Sequence, residues 1–304
     1  MKKIIVSVLL ICGIINEGKS CSACGCSASN EYMGLLPQTN NNFIGLQYSY
    51  RNFNTNLPND GGSDPFGLST DKYTTIQVWG RYKISDRIQL FAFAPYIINT
   101  RSLNGVTTTS SGISDMTVMG NYRLLDKKSC VMQQTLLVGA GLKMPTGTYN
   151  SRAIQMDEGL PNMQPGTKSW DIVGDVNYTV SHRKIGVNAD LCYVKTTPNP
   201  TSYKFGNRQS MSFLGFYRFV NKDVIILPQI GVRYDHAGQD YSNFTTGVKD
   251  EMSGGWQLLG ELGAQAYYNK LGVQLIFSKP VEQHFTSGIV TMNYKIETGV
   301  FFMF

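Results

Sequence analysis

Alternation of apolar and polar residues, repeated along most of the chain, is the feature that most constrains the fold. Successive side chains of a strand point to opposite faces, so a period of two marks an element with one apolar face and one polar face. The last segment shows the pattern clearly, with Met292, Tyr294, Ile296, Val300 and Phe302 on one face. Twelve such segments follow one another, so the sequence predicts an all-β protein.

The connections and the aromatic residues favour a barrel in a membrane over a secreted β-sandwich. Short turns alternate with long polar loops, which is typical of periplasmic turns and external loops. Tyr82 and Tyr122 stand near short turns, whereas Tyr96 and Tyr193 stand near long loops on the same apolar face, as two interfacial girdles would require. No stretch approaches eighteen apolar residues, which excludes a transmembrane helix. We therefore predict a transmembrane up-and-down antiparallel β-barrel of about 12 strands in the outer membrane.

Turn signals give the expected connections and one expected register. The short turns are predicted near residues 85–86, 125–128, 181–184, 221–223 and 269–270, and the long loops at about 54–72, 99–112, 145–168, 196–207, 235–253 and 280–288.

If Val180 pairs with Ile185 around its turn, Asp175 lies directly opposite Asp190 in the lumen. Two opposed carboxylates repel unless a cation, a proton or an arginine lies between them.

The N-terminus carries the features of an export signal. Lys2 and Lys3 precede an apolar run, and small residues precede Cys21. The run is too short to span a bilayer as a helix. We expect a signal peptide at 1–20, a Cys-containing N-terminal segment at 21–42 that is a plug or a periplasmic tail, and a transmembrane β-barrel at 43–304.

Three cysteines within six residues are the most unusual local feature. Thiolates of Cys21, Cys24 and Cys26 could hold a soft metal ion, Cu or Zn, since sulfur ligands select these ions over hard cations. Disulfides are the alternative, because the periplasm is oxidising and Cys130 and Cys192 are available partners. Both readings stay open, and no cofactor is certain from the sequence.

The polar faces of the strands are expected to line the lumen. Charges of both signs are tolerated in a wet lumen but are costly against lipid. The same faces also carry apolar side chains, so the lumen should be of mixed character. The candidate permeation residues are Asp115, Arg123, Asp171, Asp175, Asp190, Arg218, Arg233, Glu261, Phe91 and Phe93.

Three short motifs carry a resemblance to a known family. They are Gly112-Ile113-Ser114-Asp115, then Lys143-Met144-Pro145-Thr146-Gly147, and Pro165-Gly166 with Asp171 in the strand that follows. Over about residues 75–235 the chain resembles the outer-membrane transporter-like barrels of meta-pathway phenol degradation, and its Cys-rich N-terminus resembles a Bacteroidetes-type subgroup. The family commonly has glycine where this chain has Ser114. The resemblance implies passage of small hydrophobic or aromatic compounds and leaves the substrate open.

Enzymatic and nucleic-acid functions are not expected. No serine nucleophile motif or phosphate-binding loop is recognisable, and the one conceivable Asp–His pair is Asp235-His236 at the outer rim. The net charge of +6 is mild, and the basic residues form no stripe. The expected partners are outer-membrane lipid, a small-molecule substrate and a periplasmic protein that meets the N-terminal segment.

The predicted function is therefore an outer-membrane channel or transporter for small molecules, including hydrophobic or aromatic ones, with transition-metal handling through the Cys cluster as a sharper variant. The alternative is a non-transporting surface or structural barrel whose external loops bind a partner. An open lumen would favour transport. A lumen packed solid, with ordered protruding loops, would favour the surface-binding alternative.

Overall fold

The computed structural model describes residues 41–56, 68–103, 105–150, 161–285, 288 and 290–304. Within these ranges no helix is long and apolar enough to cross a membrane. A short 3-10 turn, Pro161–Met163, lies in the connection between two strands. The strands are β1 (Phe43–Asn56), β2 (Leu68–Lys83), β3 (Ile88–Leu103), β4 (Val106–Ile113), β5 (Met116–Lys128), β6 (Met132–Met144), β7 (Asp171–His182), β8 (Ile185–Lys195), β9 (Arg208–Tyr217), β10 (Phe219–Asn221), β11 (Val224–Ala237), β12 (Tyr241–Asn243), β13 (Val248–Lys249), β14 (Gly255–Tyr268), β15 (Leu271–Phe285) and β16 (Val290–Met303).

The sheet closes on itself. Neighbours in sequence pair antiparallel, and β1 pairs with β2 on one side and with β16 on the other. β4 and β5 both pair with β3 and form one wall strand, and β9 and β10 do the same against β11. β12 and β13 form a separate hairpin in an external loop. The result is a closed barrel of twelve wall strands, which confirms the predicted fold class and strand number.

The two faces of the wall differ as the alternation predicts. On β1, Leu46 is 52% exposed on the outer face, whereas the neighbouring Gln47 is 5% exposed on the inner face. Exposed Tyr82 stands near the short turns and exposed Trp170 near the long loops, as expected of two girdles. A closed sheet has no unpaired edge, which is the condition for strands to cross a bilayer.

One predicted turn, one predicted register and one predicted face were wrong. Met292, expected on the apolar outer face of the last strand, is buried inside the barrel, because the register of β16 with β1 shifts between Tyr294 and Met292. A bulge between Arg123 and Leu125 carries β5 on to Lys128, so the turn lies at 129–131 instead of 125–128. β7 and β8 meet in a two-residue turn at 183–184, which moves the register by two residues from the predicted one.

That shift changes the partners of the lumenal carboxylates. Asp175 faces Cys192, and Asp190 faces Asn177. Asp190 accepts a 2.7 Å hydrogen bond from the Asn177 amide, and Asp175 accepts one of 3.2 Å from Asn121. The predicted opposition of Asp175 and Asp190 does not occur, so each carboxylate is held by a neighbouring amide instead of repelling the other.

Several segments predicted as loops are strands. β3 and β4 form a long hairpin through most of 99–112, and β15 runs on to Phe285. Both faces of a strand that projects beyond the bilayer can be polar, so such a strand shows no alternation. The strands therefore extend beyond the segments that the alternation predicted. The predicted loop at 196–207 is irregular as expected, and the loop predicted at 145–168 connects β6 and β7.

Candidate functional site

The predicted lumenal residues lie inside the barrel, with one partial exception. The nine buried ones are Phe91, Phe93, Asp115, Arg123, Asp171, Asp175, Asp190, Arg233 and Glu261. Arg218 is only half-buried because it lies at the break between β9 and β10. The role of these ten residues in permeation stays a prediction.

The loop between β6 and β7 reaches across the external mouth of the barrel. Its Met163 is buried at the tip, and its backbone carbonyl accepts a 3.1 Å hydrogen bond from the Asn99 amide. Met163 packs in an apolar cluster with side chains of the opposite wall, which are Phe53, Tyr73, Leu259, Phe285, Val290 and Met292. We call this arrangement the outer closure.

Asp115 holds the base of that loop. Its carboxylate accepts hydrogen bonds from the Gly147 backbone N–H at 2.9 Å, and from the backbone N–H and hydroxyl of Thr167 at 2.9 and 2.5 Å. The Lys143 ammonium lies 3.5 Å from the same carboxylate. Hydrogen bonds to an ionised acceptor are stronger than neutral ones, so Asp115 is a firm attachment point.

Lys143 connects this attachment to a second carboxylate. Its ammonium is 2.5 Å from Asp171, which also accepts hydrogen bonds from the Ser169 hydroxyl at 3.0 Å and the Thr197 backbone N–H at 3.1 Å. Thr197 belongs to the loop between β8 and β9, so that loop is tied to the same point. Two buried carboxylates share one half-buried ammonium here.

Two glycines allow the loop to return against itself. A Cβ on Gly147 would lie 2.6 Å from the Cα of Gly166, and a Cβ on Gly166 would lie 2.6 Å from the carbonyl carbon of Gly147. The Ser114 hydroxyl donates a 2.5 Å hydrogen bond to the Pro165 carbonyl. Ser114, the departure from the family pattern, therefore adds one more tie to the loop.

The three motifs singled out in the sequence thus meet at one place. We call this group the loop lock; its residues are Ser114, Asp115, Lys143, Gly147, Pro165, Gly166, Thr167 and Asp171. Sequence analysis found the motifs but did not predict that they touch, because more than fifty residues separate Ser114 from Thr167.

A cavity of about 120 Å³ lies in the lumen beneath the outer closure. Its wall carries both polar and apolar side chains. The lining residues include Arg51, Tyr73, Gln77, Phe93, Asn99, Asp115, Thr117, Lys143, Gln164, Phe205 and Arg208.

Aromatic rings narrow the periplasmic half of the lumen. Trp79 stacks on Phe93 with ring centroids 5.9 Å apart, and Phe43 contacts Trp79 edge-on at 4.7 Å. Phe301 continues the row and covers Gly272, where an added Cβ would lie 1.8 Å from the Phe301 ring. We call Phe43, Trp79, Phe91, Phe93 and Phe301 the inner closure. Phe93 also lines the cavity, so the two features adjoin.

Charged pairs line the wall formed by β11, β14 and β16. Arg233 is 2.9 Å from Asp235, and Lys295 is 2.9 Å from Glu297. Asp235 and His236 lie on opposite faces of β11 because they are adjacent strand residues, so the conceivable Asp–His pair does not form. Asp235 accepts instead from Arg233 and from other lumenal side chains.

Two external loops also hold each other through Asp240. Its carboxylate accepts hydrogen bonds from the Tyr203 hydroxyl at 2.6 Å and the Gly206 backbone N–H at 2.7 Å. Burial raises the pKa of Asp240, since the charged form loses hydration, and the hydrogen bonds oppose this only in part. The loop between β8 and β9 is therefore fixed both to the loop lock and to the loop after β11.

The cysteines fall into two groups. Cys21, Cys24 and Cys26 lie outside the described residues, so their metal-binding and disulfide readings stay predictions. Cys130 is exposed in the turn after β5, and Cys192 is buried on the inner face of β8. The part of the chain that the structure describes contains no group of three or more His, Cys, Asp or Glu side chains able to hold a metal ion.

A closed twelve-stranded wall with an apolar outer face and a charged, aromatic lumen defines an outer-membrane β-barrel. A family model described as "Putative MetA-pathway of phenol degradation" matches residues 55–269. The chain belongs to this family, which confirms the resemblance read from residues 75–235 and extends it on both sides.

Solved structures show where this fold occurs. An outer membrane channel from Pseudomonas putida F1 has a TM-score of 0.64 and 15% identity, covering 91% of this chain and 99% of that chain. The β domain of the Bordetella autotransporter BrkA has a TM-score of 0.47 and 8% identity, covering 87% and 100%. LpxR from Salmonella typhimurium has a TM-score of 0.45 and 11% identity, covering 86% and 100%. Curated proteins give no match. The first likeness shows a shared barrel fold, and the chain is an outer-membrane protein.

Proposed function

We propose that this protein is a gated, passive channel for small solutes. The observation that carries the proposal is the cavity of about 120 Å³ inside the closed wall, lying between the outer closure and the inner closure. A barrel that served only as a rigid scaffold would have no need of a polar space held between two narrow points. The mechanism is diffusion, with loop displacement at the outer closure and side-chain rotation at the inner one.

The outer closure is suited to gating because side-chain contacts, and not strand pairing, hold its described residues. Met163 and the Asn99 hydrogen bond fix its tip, and the loop lock fixes its base. Releasing the loop exposes a modest apolar area, whereas opening the wall would break a row of backbone hydrogen bonds. Such loops are expected at the low-stability end of a fold.

The walls indicate solutes with both polar and apolar parts. Arg51 offers a donor to a polar group, and Tyr73 and Phe93 offer rings to an apolar body. The family's description, which refers to phenol degradation, supports aromatic compounds as solutes. We therefore extend the proposal to small hydrophobic or aromatic molecules that carry at least one polar group.

Metal handling through the N-terminal cysteines remains a second proposal that rests on the sequence. Three thiols in six residues suit Cu(I) or Zn(II), and a periplasmic partner could receive the ion. Titration of the mature chain with each ion tests it, with a variant in which Cys21, Cys24 and Cys26 are replaced by serine as the control.

Conductance of the refolded mature chain in planar bilayers tests the channel proposal. We expect brief openings in the intact chain, a change on removal of residues 21–42, and solute-dependent swelling of liposomes that contain the protein. A barrel that remains closed to ions and to uncharged solutes in all these conditions would overturn the proposal. It would favour a surface-binding protein, for which the long β3–β4 hairpin is the obvious candidate site.

A further inference from the structure

Arg51 is a buried cation that forms no ion pair with any described carboxylate; Glu297 and Asp235 attract it only from beyond ion-pair distance. Its side chain lies on the inner face of β1, is 6% exposed and lines the cavity. Within the described part of the chain, Arg51 joins no ion pair and its Nε has no hydrogen-bond partner. Burying an ionised group without a partner is costly, so native proteins avoid it unless water or a ligand serves the charge.

The neighbours of Arg51 on the wall do not neutralise it. Directly across the strand pairs lie Lys295 on β16 and Tyr73 on β2. Lys295 is itself a cation, and the Glu297 carboxylate lies 2.9 Å from it. The Arg51 guanidinium carbon lies 5.7 Å from the centre of the Tyr73 ring, a cation–π contact that does not give the Nε donor a hydrogen-bond partner.

The other charged groups of the cavity are committed to the loop lock or add to the positive charge. Lys143 lies between Asp115 and Asp171, and both Asp115 oxygens accept hydrogen bonds from the loop. Arg208 adds a second arginine to the cavity wall, with its guanidinium carbon 5.8 Å from the Phe205 ring centre. Among the described lining residues the positive charges outnumber the negative ones, and Asp115, the carboxylate among them, is already engaged.

We propose that this cavity binds a small organic carboxylate, with Arg51 as the residue that recognises the carboxylate group. A planar guanidinium matches a planar carboxylate with two parallel hydrogen bonds. The rings of Tyr73 and Phe205 contact the apolar body of the ligand. An apolar cavity of about 150 Å³ can hold benzene, so 120 Å³ restricts the ligand to one ring or a short chain. The inference names the substrate class of the proposed channel and rests on that function.

Benzoate and benzyl alcohol are the probes, since they share a ring and differ in charge. Calorimetric titration of the folded mature chain in detergent should show benzoate binding at least tenfold more tightly than benzyl alcohol. Arg51→Gln should weaken benzoate binding at least tenfold, which corresponds to about 1.4 kcal/mol, and leave benzyl alcohol unchanged. Arg51→Lys keeps the charge and should retain part of the affinity. Arg87→Gln removes the same charge from an exposed periplasmic turn and should bind benzoate like the wild type.

Equal affinity of the wild type for the two probes, or benzoate binding that survives Arg51→Gln, would refute the inference. The comparison in the wild type decides the matter even if the Arg51→Gln barrel does not fold. Conductance separates this inference from the channel proposal. If the protein binds benzoate through Arg51 but passes no solute, the carboxylate site is supported and the channel proposal fails. If the barrel conducts but benzoate binding does not depend on Arg51, the channel proposal is supported and the carboxylate site fails.

Discussion

Asp115→Asn should release the loop that closes the external mouth. The carboxylate receives hydrogen bonds from Gly147 and from two groups of Thr167, and it lies 3.5 Å from the Lys143 ammonium. An asparagine carbonyl can keep the bond from Gly147, but its amide presents N–H groups to the Thr167 backbone N–H. Two hydrogen bonds and the attraction to Lys143 are therefore lost.

The size of the effect follows from those contacts. A hydrogen bond to a charged group contributes about 1.5–3 kcal/mol, so two of them at the low end sum to about 3 kcal/mol. At about 1.4 kcal/mol per factor of ten, the population of the displaced loop should rise by about 100-fold. The wall strands do not depend on this carboxylate for their pairing, so the barrel should remain folded.

Single-channel recording measures the open probability, and hydrogen exchange of residues 161–169 measures loop docking directly. Both should change in Asp115→Asn, and neither should change in Asp86→Asn, which alters an exposed carboxylate in a periplasmic turn. A folded Asp115→Asn barrel whose loop protection and open probability stay within twofold of the wild type would show that Asp115 does not hold the closure.

Three further results are expected. Gly272→Ala should destabilise the barrel by about 1–3 kcal/mol in urea unfolding, because its Cβ would overlap the Phe301 ring; Gly120→Ala, with nothing within 4 Å of its Cβ, should be close to neutral. Because burial raises the pKa of Asp240 above 3.8, docking of its loop should be strongest below that pH and weaken as pH rises through the docked-state pKa; hydrogen exchange corrected for the intrinsic rate should show this, and Asp240→Asn should remove the dependence. With the three N-terminal cysteines replaced by serine, a membrane-impermeant maleimide should label exposed Cys130 in permeabilised cells only; labelling of intact cells would contradict periplasmic placement of the short turns.

Local patterns predicted the wall well but its register less well. Alternation assigned Phe91, Asp115 and Glu261 to the inner face correctly, since face follows from a period of two alone. The residue opposite Asp175 could not be predicted in the same way. The observed turn is two residues shorter than the predicted one, which leaves every side chain on its face but changes the residue that it faces on the next strand. The bulge at Arg123 could not be predicted either, because it changes the strand pairing and leaves no mark in the local composition.

The sequence by itself determined a closed β-barrel for a membrane, because twelve alternating segments with aromatic ends can bury their backbone groups in lipid in only one way. It also marked the family through motifs at Asp115, Lys143 and Gly166. Only the tertiary structure brought those motifs together as one lock, carried Met163 across the mouth, and placed Arg51 in a cavity whose described carboxylate, Asp115, is already held by the loop. These features depend on contacts between residues far apart in the chain, and such distances are set by the curvature and register of the whole wall, which no local pattern specifies.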